Sequence, residues 1–145
     1  MSRVHWDNEN DTAYIKEKLD NGQTITLMFQ EIDWNDDTVY FNVCLSLYSK
    51  RTQRAENEQA VKTTGKDTFL NTLIWTKKAF AELERWILAH FSYVDIVIYV
   101  GWADRRRRDI YQHYLLKNGY VYGRDLDGAK VLYKKIKKGN DNYEV

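Results

Sequence analysis

Residues 94–100, Val-Asp-Ile-Val-Ile-Tyr-Val, constrain this chain more than any other stretch. Five of the seven are Val or Ile, and they fall on both parities of a strand, so neither face can be given to water. Such a run predicts a strand inside a sheet with cover on both sides. Its neighbours indicate the cover. Upstream, Phe69, Leu73, Thr76, Phe80, Leu83 and Ile87 recur every three or four residues, with Leu70 and Trp86 beside them. That spacing predicts a long amphipathic helix starting near Asp67 or Thr68, both good N-caps. Downstream, a second helix is expected, capped by Asp104 and ended by Asn118-Gly119, with Ile110, Tyr111, Tyr114 and Leu115 on one side. A strand–helix–strand step of this kind makes a parallel crossover, and therefore a mixed sheet.

The rest of the chain reads mostly as strands. Val39, Phe41, Val43, Leu45 and Leu47 form the clearest period-2 stripe. Before it, residues 24–32 alternate through Ile25, Leu27 and Phe29, and residues 12–20 alternate more weakly. Asn21-Gly22 between these two runs signals a hairpin, because both turn residues tolerate positive φ. A short helix over 12–20 closed by Gly22 is the competing reading. Residues 33–37 form a turn, residues 50–66 read as a polar loop, and residues 120–126 and 129–136 pair across Asp127-Gly128. The expected fold is α+β, with the order β-β-β-α-β-α-β-β, a mixed but mostly antiparallel sheet and two main helices.

With 145 residues, the chain fits one domain. A hydrophobic share of 43%, including five Trp and eleven Tyr, supplies a core and argues against global disorder. The domain is expected over residues 12–137, with flexible ends at 1–11 and 138–145. No apolar run approaches the roughly 18–20 residues of a membrane span, and the polar first residues lack a signal-peptide core. These features suggest a cytoplasmic protein with no membrane partner. One cysteine, Cys44, excludes an internal disulfide, and its mid-strand position suggests a buried thiol. His5, His90 and His113 lack metal-ligand spacing, so no metal is expected.

Two segments sharpen the element order into a resemblance. Lys62-Thr63-Thr64-Gly65-Lys66-Asp67 precedes the long helix, and Leu115-Leu116-Lys117-Asn118-Gly119-Tyr120 closes the second. The first resembles the Arg/Gln-x-x-Gly-x-Gly/Ala pyrophosphate loop of the GNAT superfamily of N-acyltransferases. The second resembles the Tyr-x-x-x-Gly-Phe segment of the same superfamily. The resemblance covers about residues 24–137, mainly as topology. It implies an acyl-CoA-dependent N-acyltransferase with acetyl-CoA or another acyl-CoA as cofactor. Lys62, Thr64, Gly65 and Lys66 would hold the pyrophosphate, and strand amides would stabilise the oxyanion as an amine attacks the thioester. Asp67 stands where the superfamily has a small residue, and Leu115 where it often has a tyrosine acid. Glu31 and Asp33 are the positional candidates for a base. Read without the resemblance, 62–67 is equally an ordinary loop entering a helix.

Arg105, Arg106, Arg107 and Arg108 stand together at the start of the second helix. Cations there oppose the helix dipole, by about 0.3–1 kcal/mol each when exposed. One reading is an anion-binding site for coenzyme phosphate or a nucleic-acid backbone; the other is solvated surface. Two functions follow: an acyltransferase acting on a small-molecule or protein amine, or a non-catalytic adaptor binding nucleic acid or protein through its basic helix end. The net charge of +1 favours neither.

Overall fold

In a computed structural model of the chain, residues 3–19, 22–49, 54–56, 65–102 and 105–139 are described. The side chains of 47–49, 54–56, 65–71, 105–107 and 110–111 fall outside that description. The elements are β1 (His5–Asp7), β2 (Thr12–Lys18), β3 (Gln23–Asn35), β4 (Thr38–Ser49), β5 (Arg54–Glu56), α1 (Gly65–His90), β6 (Asp95–Val100), α2 (Arg105–Lys117), β7 (Val121–Arg124) and β8 (Lys130–Ile136). They make an α+β fold around one sheet of order β1-β2-β3-β4-β6-β8-β7, with β5 paired to β4 off that path. Every pairing is antiparallel except β4 with β6.

The apolar run becomes β6, held between β4 and β8. Its residues 96–100 are all buried. Right-handed crossovers from β4 to β6, and onward from β6 to β7 in the same direction, require both helices on one face. The core agrees. Odd residues of β2, β3 and β4 (Ile15, Leu27, Phe29, Phe41, Leu45) join Ile96, Ile98 and Leu132 against Trp75, Phe80, Leu83 and Ile87 of α1 and Leu115 of α2. Among the described residues, no helix lies over the other face. There Val97 and Val131 are covered by the rings of Tyr99, Tyr40 and Tyr133. Tyr40 stacks on Tyr99 at 6.1 Å, and Tyr99 meets Tyr133 at 6.5 Å.

Several boundaries differ from the sequence expectation. Residues 12–18 are a strand, so the hairpin reading holds over the short helix. The segment 1–11, read as lying outside the domain, contributes β1, which pairs with β2. Within the expected loop 50–66, residues 54–56 pair with β4. α1 begins at Gly65, so Gly65 and Lys66 belong to its first turn rather than to a preceding loop. Cys44 is exposed, contrary to the expected buried thiol. Its even parity in β4 puts it on the face away from the helices, beside Met28 in the β3–β4 register. Leu73 is only partly buried.

α2 ends as Asn118-Gly119 suggests. Gly119 has φ of 91°, a left-handed value that a side chain would strain. The Tyr120 N–H donates to the Leu115 carbonyl at 3.0 Å, closing the helix with a Schellman-type bond. Tyr120 then enters the core between the helices. Its hydroxyl donates to Glu84 Oε2 at 2.7 Å, and Lys134 Nζ lies 3.5 Å from Glu84 Oε1. The same ammonium stands 5.5 Å over the Tyr120 ring. Burial, reinforced by the Glu84 charge and hydrogen bond, holds the Tyr120 hydroxyl well above the usual 10.0.

Two outcomes are expected. Phe80 is 1% exposed and meets Phe29, Tyr114 and Tyr120 ring to ring. Phe80→Ala should lower unfolding free energy by about 3–5 kcal/mol in urea titration; a loss under about 1 kcal/mol would mean the helix packs elsewhere. The raised Tyr120 hydroxyl favours its proton in the folded state. Its stabilising contribution is therefore full below pH 10 and is lost as pH climbs from there toward the folded value. Tyr120→Phe should cost about 1–3 kcal/mol at neutral pH and flatten the fall in Tm above pH 10. The residual slope should come from Tyr99 and Tyr114, whose hydroxyls burial also raises.

Candidate functional site

β6 ends at Val100, and the chain passes through Gly101 and Trp102 before α2 begins at Arg105. Because β4 and β6 are parallel, α2 opens at the C-terminal edge of the sheet, where α/β folds commonly hold ligands. The β7–β8 hairpin reaches the same edge. Its turn is tied by Asp125, whose Oδ1 accepts from the Asp127 and Ala129 N–H groups, both at 2.9 Å. Gly128 closes it with φ of 86°. The register then places Arg124 opposite Lys130.

These pieces border an open hollow of about 410 Å³ lined by Trp102, Arg108, Tyr122, Gly123, Arg124 and Lys130. Three of the six are cations and none is a carboxylate. Two are aromatic: Trp102 meets Tyr122 edge to face, with centroids 6.3 Å apart and planes at 88°. Tyr122 is about half exposed, leaving ring surface for a ligand. Arg124 Nη1 donates to the Gly128 carbonyl at 2.8 Å, which orients it without neutralising it. Arg108 approaches Asp109 Oδ1 at 3.5 Å, while its Nε is buried and has no hydrogen-bond partner. A buried N–H donor without an acceptor is costly.

Of the four arginines singled out by sequence, Arg108 lines this cavity. Arg105, Arg106 and Arg107 form the first turn of α2, with side chains outside the described residues. Lys62 and Thr64 also lie outside them, as do the side chains of Gly65's neighbours in the first turn of α1, Lys66 included. Glu31 and Asp33 do not reach the cavity edge. They pair with Phe41 and Tyr40, near the start of β4 and hence at the opposite end of the sheet. Leu115, at the position of the superfamily's tyrosine, is fully buried, and Tyr114 packs on Phe80.

Sequence reading missed Trp102, Tyr122, Arg124 and Lys130. The available signals were a tryptophan just past the central strand and a basic residue on each side of the Asp127-Gly128 turn. A second hollow of about 400 Å³ lies over Tyr14, Lys16, Thr26, Met28 and Cys44 on the outer face. Lys16 is the one cation among its lining residues, so it offers an anion much less.

No family model matches the chain, and neither curated proteins nor solved structures include a significant match. Among the described residues, no helix is long and apolar enough to cross a membrane.

Gly123 is a sharp test of how this edge is built. A Cβ added there would sit 2.4 Å from Tyr133 Cε1 and 2.7 Å from Cδ1. The Tyr133 ring lies across position 123 and must move to admit a methyl group. Gly123→Ala should destabilise by about 1–3 kcal/mol, with changed near-ultraviolet circular dichroism as Tyr133 shifts. A variant as stable as wild type with an unchanged spectrum would contradict this packing.

Proposed function

We propose that the domain is a ligand-binding module on an acyltransferase-like sheet, and that its cavity takes a phosphate-bearing, nucleotide-type ligand. One observation carries this reading: Arg108, Arg124 and Lys130 converge with Trp102 and Tyr122 in one hollow whose lining, among the described residues, holds no carboxylate. The cations suit phosphate oxygens, and Arg can meet two of them at once. The rings suit a base. The α2 N-terminus adds a favourable dipole.

Coenzyme A is the ligand of this class that the fold favours. The strand order, with one parallel pair followed by a second helix and a closing hairpin, supports the GNAT-like reading. Binding rather than acyl transfer is the better reading of the chemistry. A tyrosine acid at position 115 is replaced by a buried leucine. The free edge of β4, whose amides would serve an oxyanion, is shared between β6 over residues 38–43 and β5 over residues 47–49. The acyltransferase is retained as the second reading, because the strand order favours it.

Calorimetric titration with coenzyme A, acetyl-CoA and a single-stranded oligonucleotide tests the proposal. Coenzyme A should bind with a micromolar Kd and a shallow dependence on salt, whereas a nucleic-acid site neutralising several phosphates would show a steep logarithmic one. Arg108→Gln with Lys130→Gln should weaken binding about tenfold or more at low salt, since charge-assisted hydrogen bonds contribute about 1.5–3 kcal/mol each. Flat traces with coenzyme A and acetyl-CoA, or an unaffected double variant, would sink the reading. Release of free thiol from acetyl-CoA in the presence of amines would favour the enzyme instead.

A further inference from the structure

The opposite end of the sheet has a different chemistry. The β3–β4 turn, the start of β6 and the C-terminal end of α1 meet there. Three large apolar side chains remain exposed: Ile32 at 38%, Trp34 at 41% and Tyr93 at 65%. Trp34 and Tyr93 flank Phe91, with ring centroids 6.3 and 6.4 Å from it, so they extend the core outward as one aromatic ledge. Phe91 is anchored beneath by Phe41 at 5.3 Å and Trp6 at 6.1 Å. A β-bulge between Glu31 and Asp33 interrupts the ladder where Ile32 stands.

The ledge is surrounded by negative charge. Asp36 and Asp37 form the turn, Asp33 lies just before it in β3 opposite Tyr40, and residues 31–38 hold no cation. Backbone bonds bring two further segments alongside: Glu31 N–H donates to the Asp11 carbonyl at 2.9 Å, and Asp95 N–H to the Asp37 carbonyl at 2.8 Å. Against these carboxylates the described cation is Lys138, 3.5 Å from Asp37 Oδ2 in an exposed pair that contributes little. An anionic partner, whether nucleic acid or acidic lipid, would be repelled here.

We propose that this end is a docking surface for a cationic segment of a partner protein. Arginine or lysine side chains would lie over the exposed faces of Trp34 and Tyr93 while their charges meet Asp36 and Asp37. A guanidinium over an aromatic face gains cation–π attraction, and its stem covers apolar surface. The surface is separate from the cationic cavity, which lies past the other end of β4 and β6, so the two readings stand or fall independently.

The probe is a synthetic ten-residue peptide alternating Arg and Gly, titrated at low salt with tryptophan fluorescence and calorimetry as readouts. A Glu-Gly peptide serves as the control. Saturable binding of the Arg peptide alone is expected, weakening as salt rises. Trp34→Ala should reduce affinity about two- to fivefold. Asp36→Asn with Asp37→Asn should reduce it further and flatten the salt dependence. Should Trp34→Ala fail to fold by circular dichroism, Tyr93→Ala carries the same test from a more exposed position. Absence of saturable binding by the wild type, or variants that bind as the wild type does, would overturn the proposal. So would sedimentation showing self-association that glutamines at Arg105, Arg106, Arg107 and Arg108 abolish, because the occupant would then be a second copy of this chain.

Discussion

The parallel pairing of β4 with β6 is the constraint on which the rest of this structure depends. Over six residue pairs, from Thr38 opposite Asp95 to Val43 opposite Val100, two strands run the same way with a 26-residue helix between them. Parallel neighbours cannot be joined by a tight turn, so α1 must travel back along the sheet. The handedness of that return selects the covered face. β6 is thereby buried by two different means. Its Ile96, Ile98 and Val100 face the helices, whereas Val97 depends on tyrosine rings from β4, β6 and β8. Tyrosine suits that second role, because its ring excludes water while its hydroxyl can stay solvated. A sheet face can thus be closed without a third layer.

What was legible in the sequence was whatever periodicity alone specifies. The stripe from Val39 to Leu45 requires one buried face, and β4 has it. The three- and four-residue spacing of Phe80, Leu83 and Ile87 requires a helix face, and all three are buried. The pattern was silent where neighbours decide. Three residues make β1, and three make β5; such strands form because β2 and β4 offer open edges, not because their own sequence demands it. Cys44 illustrates a different limit. Its residue type favours burial, but strand parity had already assigned even positions of β4 to the outer face. Register prevailed over propensity, because a slip of one residue would have turned Phe41 and Leu45 outward as well.

The cavity was illegible for a related reason. Trp102, Arg108, Tyr122 and Lys130 are unremarkable singly and fall in four places along the chain. They meet because β6 pairs with β8 and β8 with β7, so the hairpin tip returns beside the helix that follows β6. The arginine run was visible as an oddity of helix electrostatics, and Arg108 was visible within it. The aromatic half of the cavity could be found only from the register. The unequal distribution of charge is equally a product of topology. The chain is almost neutral, yet the turns at the start of β4 and β6 concentrate carboxylates, while Arg108, Arg124 and Lys130 come together at their far end.

α2 is tied to the core through Tyr120. α2 is only 13 residues long, with seven residues, about 10 Å of helix, separating Leu115 from Arg108. At one end of that lever, the Leu115 carbonyl is bonded to Tyr120, and Leu115 itself is fully buried. Tyr120 is bonded in turn to Glu84 of α1 and lies against Lys134 of β8. The carboxylate, phenol and ammonium satisfy one another in a site where each alone would be costly to bury. The Glu84–Tyr120–Lys134 cluster thus fixes the C-terminal end of the helix whose first turns carry Arg108.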